Sequence, residues 1–327
     1  MKILLTGATG FLGSHVAEEL SRRGHEISAL ARNPDKQVLP RSMPIHWIRG
    51  ALADIPRLER EIAGVEGVIH IAGITKALAK RDFLRTNAGG TKTLVQAVAR
   101  LPAAPRFFLY VSSVAVHHVP SQGGRFDLPT EECRPLTDYG LSKWEGEKAL
   151  AALPKQTRSI ILRPPPLYGP RDSEFLRFFQ SAGYGFLPLW GRGDNRISMC
   201  YVVDAARAVA DLAEKRPADF SPFCVDDGAE HSWRSLVKTL GDASGKKLRA
   251  LPVPPFLFYA SAALSQSWAR IMNRPTIFTI DKLKEMRREN WVCGHRKLSE
   301  ATGWKPAVTL EEGFRRTWEY YREKNLL

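Results

Sequence analysis

The chain has 327 residues, 44% of them hydrophobic, enough to bury the core of one large or two modest domains. Its net charge of +14 is spread without basic blocks, and no zinc finger, RNP-type aromatic strand or basic stripe is present, which sets nucleic-acid binding aside. Cys133, Cys200, Cys224 and Cys293 are scattered with no CxxC or Cys/His ligand spacing, so neither a disulfide framework nor a metal site is indicated.

From the N-terminus, Ile3-Leu4-Leu5 reads as a buried strand that runs into Thr6-Gly-Ala-Thr-Gly-Phe-Leu-Gly13. Phe11, Leu12, Val16 and Leu20 then repeat at helical spacing. Of Gly7, Gly10 and Gly13, one allows a tight turn, one lets backbone approach a pyrophosphate, and one lets the helix pack close to the strand. The helix N-terminus offers free N–H groups and a positive dipole end, so this is a phosphate-binding turn. Only three apolar residues follow Lys2 before Thr6-Gly7, so no signal peptide is read, and the reduced thiols predict a cytoplasmic protein.

Strands are predicted at 2–6, 26–31, 45–49, 67–72, 106–112 and 158–163, with helices at 12–23, 56–63, 82–100 and 138–153. This alternation predicts a parallel sheet with helices on both faces. Strand 67–72 is apolar almost throughout, as a doubly covered central strand should be.

After Arg163 the texture changes. Pro164-Pro165-Pro166 and Tyr168-Gly169-Pro170 mark an exit from the nucleotide domain. The expected division is a nucleotide domain over 1–168 with returning segments at about 197–226, and a substrate domain formed by 169–196 and 227–327. Phe175, Phe178, Phe179, Phe186, Leu189 and Trp190 are candidates for an apolar pocket, half of them expected in the core. Phe256 to Trp268 is the one membrane candidate, shorter than the roughly 20 residues that span a bilayer. It reads first as a core or pocket-lining helix. The alternative is a surface-lying membrane contact, since Arg270 and Arg274 follow.

Tyr139 and Lys143 stand four apart in a helical pattern and so share a face. A phenol near an ammonium has its anionic form favoured, which suits an acid/base group. Tyr320 and Lys324 have the same spacing but lie in a charged tail far from any cleft signal. Tyr139 differs by its company: Leu109-Tyr-Val-Ser-Ser113 ends a predicted parallel strand, and ligands bind at the carboxyl ends of such strands. Ser113 is placed to hydrogen-bond the reacting oxygen, with strand-end capping as the simpler role for Ser112 and Ser113.

The chain resembles the extended short-chain dehydrogenases/reductases, the NAD-dependent epimerase/dehydratase type that includes nucleotide-sugar epimerases, 3β-hydroxysteroid dehydrogenases and dihydroflavonol reductase-like members. The resemblance is carried by Thr6 to Gly13, His70-Ile-Ala-Gly73, Asn87-Ala-Gly-Gly-Thr91, Val111-Ser-Ser113, Tyr139-Gly-Leu-Ser-Lys143 and Arg163-Pro-Pro-Pro-Leu-Tyr-Gly-Pro170. Tyr201-Val-Val-Asp204 and Leu310-Glu-Glu-Gly313 extend it nearly to the end. It implies an α/β fold: a Rossmann-type doubly wound parallel sheet with a smaller, mostly helical C-terminal substrate domain. It also implies that Ser113, Tyr139 and Lys143 are catalytic, with Lys143 lowering the Tyr139 pKa and holding the nicotinamide ribose. The implied cofactor site comprises Gly7, Thr9, Gly10, Phe11, Leu12, Gly13, Arg32, Ala72, Gly73, Asn87, Tyr139, Lys143 and Pro164, with Asn87 supporting the strand geometry.

The departures point to the cofactor. NAD-preferring relatives carry an acidic residue after the second strand, whereas here Ala31 is followed by Arg32, which favours NADP with NAD as the alternative. Val114-Ala115 stands where dehydratases carry Asp-Glu, which argues against sugar dehydration. His117 and His118 are read as a packed loop pair, with proton transfer the sharper alternative. The leading expectation is an NADP-dependent reductase or dehydrogenase of a small hydroxyl/carbonyl compound, toward which Trp291 to Pro306 also leans by resemblance. The alternatives are a nucleotide-sugar epimerase with tightly bound NAD, using Arg171, Arg192 and Arg196 on a diphosphate, and a non-catalytic NADP-binding subunit. A homodimer through the helices at 82–100 and 138–153 is implied by resemblance.

Overall fold

A computed structural model describes residues 1–54, 59–117, 129–217, 222–276, 278–286 and 290–327. In chain order the main sheet receives β1 (Lys2–Thr6), β2 (Glu26–Ala31), β3 (Ile45–Arg49), β4 (Gly67–His70), β5 (Phe107–Val111) and β6 (Arg158–Arg163). The later strands are β7 (Leu167–Tyr168), β8 (Phe186–Trp190), β9 (Arg196–Ile197), β10 (Cys200–Tyr201), β11 (Phe223–Cys224), β12 (His231–Ser232), β13 (Arg249–Val253) and β14 (Asn290–Trp291). The larger helices are α1 (Phe11–Arg22), α2 (Gly90–Ala99), α3 (Asp138–Ala149), α4 (Val202–Lys215), α5 (Trp233–Ser244), α6 (Pro255–Ile271), α7 (Ile280–Met286) and α8 (Leu310–Glu323).

The central sheet has the order β11-β6-β5-β4-β1-β2-β3, with every pairing parallel. The strand order reverses between β1 and β4, the place where an open α/β sheet leaves a crevice at its carboxyl edge. Side-chain alternation builds both cores. Ile3, Leu5, Phe107, Leu109 and Val111 face α1 and α4. Leu4, Phe108 and Tyr110 face the opposite way, onto Leu94, Val95 and Val98 of α2. A separate core joins Phe179, Leu236, Leu240, Phe314, Trp318 and Tyr321 from α5, α8 and the segment after β7.

The predicted strands are reproduced closely, and two boundaries moved for local reasons. The strand predicted at 67–72 ends at His70, because Ala72 turns away to donate its N–H to Thr6 Oγ1 at 3.2 Å. The helix predicted at 82–100 begins with a short turn at Lys80–Phe83 and passes through a π-helical stretch, Leu84–Gly89, before α2. That wider winding points Asn87 inward, the kind of irregularity that accompanies functional sites. The helix predicted at 56–63 falls partly outside the described residues, as does His118.

Candidate active site

The carboxyl ends of β1, β4, β5 and β6 open onto one cavity of about 1620 Å³. At its floor the β1–α1 turn is as tight as three glycines allow. Gly7 has φ +85°, and a Cβ there would stand 2.8 Å from Ala72 N. A Cβ on Gly13 would reach 2.0 Å from Gly7 O, so α1 can start this close to the strand only with glycine. Gly10 caps α1 without a side chain, leaving the first backbone N–H groups of the helix directed at the cavity. These clearances fit a dinucleotide pyrophosphate.

Gly7, Thr9, Gly10, Phe11, Leu12, Gly13, Arg32, Ala72, Gly73, Ser113, Tyr139, Lys143 and Pro164 all border this cavity. Asn87 does not. It is buried behind the wall, accepting from Ile74 N at 2.8 Å and donating to Ile74 O at 3.0 Å and Ser142 Oγ at 2.8 Å. Ser142 in turn donates to the Tyr139 carbonyl at 2.7 Å, so Asn87 ties the loop after β4 to the start of α3. Its side chain braces the wall from behind.

Tyr139 is in the first turn of α3, whose N-cap Thr137 accepts from Gly140 N at 3.1 Å. Burial pushes its phenol well above the ordinary value; the Glu174 and Glu285 carboxylates push the same way, and its hydrogen bond with Ser113 opposes. Ser113 also caps the turn after β5, accepting from Ala115 N at 3.1 Å, so the capping and site roles coexist. Lys143, one turn on, donates to the Val111 carbonyl at 2.7 Å and lies 4.6 Å from the centre of the Tyr110 ring. Burial brings its ammonium down to about 8, with Glu147 acting in the other direction. Against the expected lowering by Lys143, burial is the largest influence on the Tyr139 phenol, and the Lys143 ammonium is held by a backbone carbonyl.

Behind these residues runs a polar chain with one direction. Thr91 Oγ1 donates to the Asn87 carbonyl at 2.7 Å and so accepts from His70 Nε2, 2.9 Å away. His70 Nδ1 then accepts from Thr6 Oγ1 at 2.6 Å. Burial and the nearby Lys143 pull His70 down to about 3, which keeps it neutral and fits this tautomer. His70 stands within a motif visible in the sequence, but its partners are far apart along the chain and gave no local signal. A second contact set was likewise hidden: Thr137 donates to Glu285 at 2.8 Å, and Asp138 N to Asp281 at 2.8 Å, docking α7 over the start of α3. Thr137 is a recognisable cap before a helix; its acidic partners are not recognisable locally.

Of the apolar candidates, Phe175 and Phe178 border the cavity, together with Ile197, Trp233, Met286 and Trp291. Phe179 and Leu189 are core, Trp190 packs on Phe258, and Phe186 is exposed. Arg196 borders the cavity but pairs with Glu230 at 2.6 Å, and Arg171 is tied to Glu18 at 2.5 Å and Ser14 at 3.0 Å. His117 is buried, its Nε2 accepting from Arg163 at 3.0 Å, which answers to the packed reading.

Fold and site together define an NAD(P)-dependent α/β enzyme. Residues 3–221 match the model of the NAD dependent epimerase/dehydratase family, and the chain belongs to that family, the extended short-chain dehydrogenases/reductases. The chain is 28% identical to a ceramide reductase of Caulobacter vibrioides, covering 98% of this chain and 94% of that one. It is 28% identical to a 2-alkyl-3-oxoalkanoate reductase of Stenotrophomonas maltophilia (97% and 98% covered) and 25% identical to a UDP-glucose 4-epimerase of Vibrio cholerae (99% and 96%). Among solved structures it is similar to the UDP-glucose 4-epimerase of Thermotoga maritima with UDP-glucose, at TM-score 0.77 and 22% identity over 99% of this chain and 100% of that one. The fold is thus shared with epimerases, while the relatives in sequence include both reductases and an epimerase.

Proposed function

We propose that the protein is an NADP-dependent reductase or dehydrogenase of a small hydroxyl/carbonyl compound, with Tyr139 as the acid/base group. The observation that supports this reading is that Phe175, Phe178, Trp233 and Trp291 line the same cavity as Tyr139 and Ser113, apolar surface suited to the uncharged part of a substrate. The nicotinamide cofactor supplies or takes up hydride when bound. Gly7, Gly10 and Gly13 with the α1 N-terminus would hold its pyrophosphate, and Lys143 its ribose. Ser113 orients the substrate oxygen, and the raised phenol of Tyr139 stays protonated at neutral pH, ready to donate to that oxygen as a carbonyl is reduced. Pairing of two copies through α2 and α3 is part of the same reading.

The preference for NADP rests on the end of β2. Ala31 leaves no carboxylate there, and Arg32 is exposed at the cavity edge without an ion pair or hydrogen bond to any described residue, free for a 2′-phosphate. Titration of the purified protein is expected to favour NADPH over NADH by at least about tenfold, or 1.4 kcal/mol, with Arg32→Ala erasing most of the difference. Equal affinities would remove Arg32 from the site.

The epimerase reading is favoured by the Vibrio cholerae relative. Against it, Arg171 is bound to Glu18, and Arg192 does not border the cavity, so the three expected arginines are not gathered for a diphosphate. Mass spectrometry of the purified protein separates the readings: tightly retained NAD would select the epimerase. Normal cofactor binding without turnover on any carbonyl would instead select a non-catalytic subunit.

A further inference from the structure

Helix α6 is only in part the core or pocket-lining helix that its sequence suggests. Phe258, Ala262 and Ala269 pack inward, whereas Leu257, Leu264, Trp268 and Ile271, spaced seven, four and three apart, form one outward side and are 46 to 76% exposed. Most exposed large apolar side chains among the described residues lie here, between 251 and 280, or at Tyr184 and Phe186 beside strand β13, which leads into the helix through Pro254. Soluble surfaces seldom concentrate apolar area in this way without a partner.

The charge around this face names the partner. From 243 to 280 the chain has no Asp or Glu but carries Lys246, Lys247, Arg249, Arg270 and Arg274. All five are exposed, and none makes an ion pair with a described residue. An apolar helical face with exposed cations at its own end and at or ahead of the start of the strand that leads into it matches the boundary of an anionic lipid bilayer, acyl chains beneath and phosphates alongside. None of the described helices is long and apolar enough to cross a membrane, so the contact is lateral.

We propose that α6 and the end of β13 rest on an anionic bilayer, with Leu257, Leu264, Trp268 and Ile271 at the headgroup–acyl boundary. The same helix borders the active-site cavity through Gln266 and Arg270, on a side turned about 100 to 170° away from its apolar face. The docked helix therefore forms part of the cavity wall and brings the cavity next to the lipid surface. Resting on the reductase reading, this gives a substrate class: a hydroxyl or carbonyl compound with a long apolar chain, drawn sideways from the membrane.

Flotation of the full chain with vesicles of phosphatidylcholine alone, or of phosphatidylcholine and phosphatidylglycerol in equal parts, tests the docking without any turnover. Failure here would leave the reductase reading standing. Binding to the anionic vesicles is expected to be at least about tenfold stronger and to weaken with salt. Replacing both Leu264→Ser and Trp268→Ser is expected to lower it by about tenfold or more with an unchanged thermal melt, because both side chains are exposed. Arg274→Glu should weaken binding and flatten its salt dependence. No vesicle binding, or binding unaffected by the double substitution, overturns the proposal. Sedimentation showing self-association that the double substitution abolishes, without vesicle binding, would assign the face to a second copy and overturn it equally.

Discussion

A Tyr139→Phe variant is expected to reduce its carbonyl substrate about a hundred- to ten-thousandfold more slowly, with NADPH affinity nearly unchanged. The phenyl ring keeps its edge contact with Phe83, at 6.1 Å between centroids, and α3 keeps its Thr137 cap, so only the hydroxyl leaves. That hydroxyl is the group hydrogen-bonded to Ser113 and the only one in the set whose proton is retained through neutral pH by burial. Lys143 then sets the upper limit of the pH range. Its ammonium is down at about 8, so it is charged below that pH and neutral above it. Reduction is therefore expected to fall as pH rises through about 8, when the ammonium that would hold the nicotinamide ribose loses its charge. Single-turnover rates with NADPH measure both effects. A Phe variant that loses NADPH binding, or a rate that stays flat to pH 10, would contradict these assignments.

The sheet was legible because β1 to β6 are short apolar or alternating segments between glycine and helical signals, which local periodicity reports. The phosphate turn was legible for a similar reason: a strand, three glycines and a helix start lie within thirteen residues. What periodicity could not report is what meets across the fold. Asn87 was read with the cofactor site and as a support of the strand geometry, and the structure buries it in the π-helical stretch Leu84–Gly89, next to Gly73. A Cβ on Gly73 would approach its Oδ1 to 3.0 Å, so the motif holds the wall and leaves the surface to Gly73. For Tyr139, the i,i+4 spacing to Lys143 gives direction and not solvation, and the burial that pushes its phenol up is not legible in it. Segment 256–268 shows the same limit. Its mean composition suits a core, and only the packing partners on α7 reveal which side is left outside.

Replacing Glu147→Gln is expected to destabilise the fold by about 3–5 kcal/mol, through the ion it abandons. Arg163 ends β6 with its side chain wholly buried, and its Nε and Nη2 donate to Glu147 at 2.8 and 2.5 Å. Thr130 Oγ1 donates to the same carboxylate at 2.7 Å, so the glutamine meets three donors with a single acceptor oxygen. Urea unfolding compared with an Arg163→Met, Glu147→Leu double variant separates an uncompensated charge from the worth of the pair. The double variant should recover most of the loss, because two apolar groups leave no buried ion. The pair also reaches the chemistry. Glu147 lies one turn beyond Lys143 and is the group that resists the fall of its pKa. In folded Glu147→Gln protein the loss of reduction activity should therefore begin at a lower pH than in the parent. A destabilisation under about 1 kcal/mol, the range of a surface pair, would mean that Arg163 finds water or another partner when the carboxylate is gone.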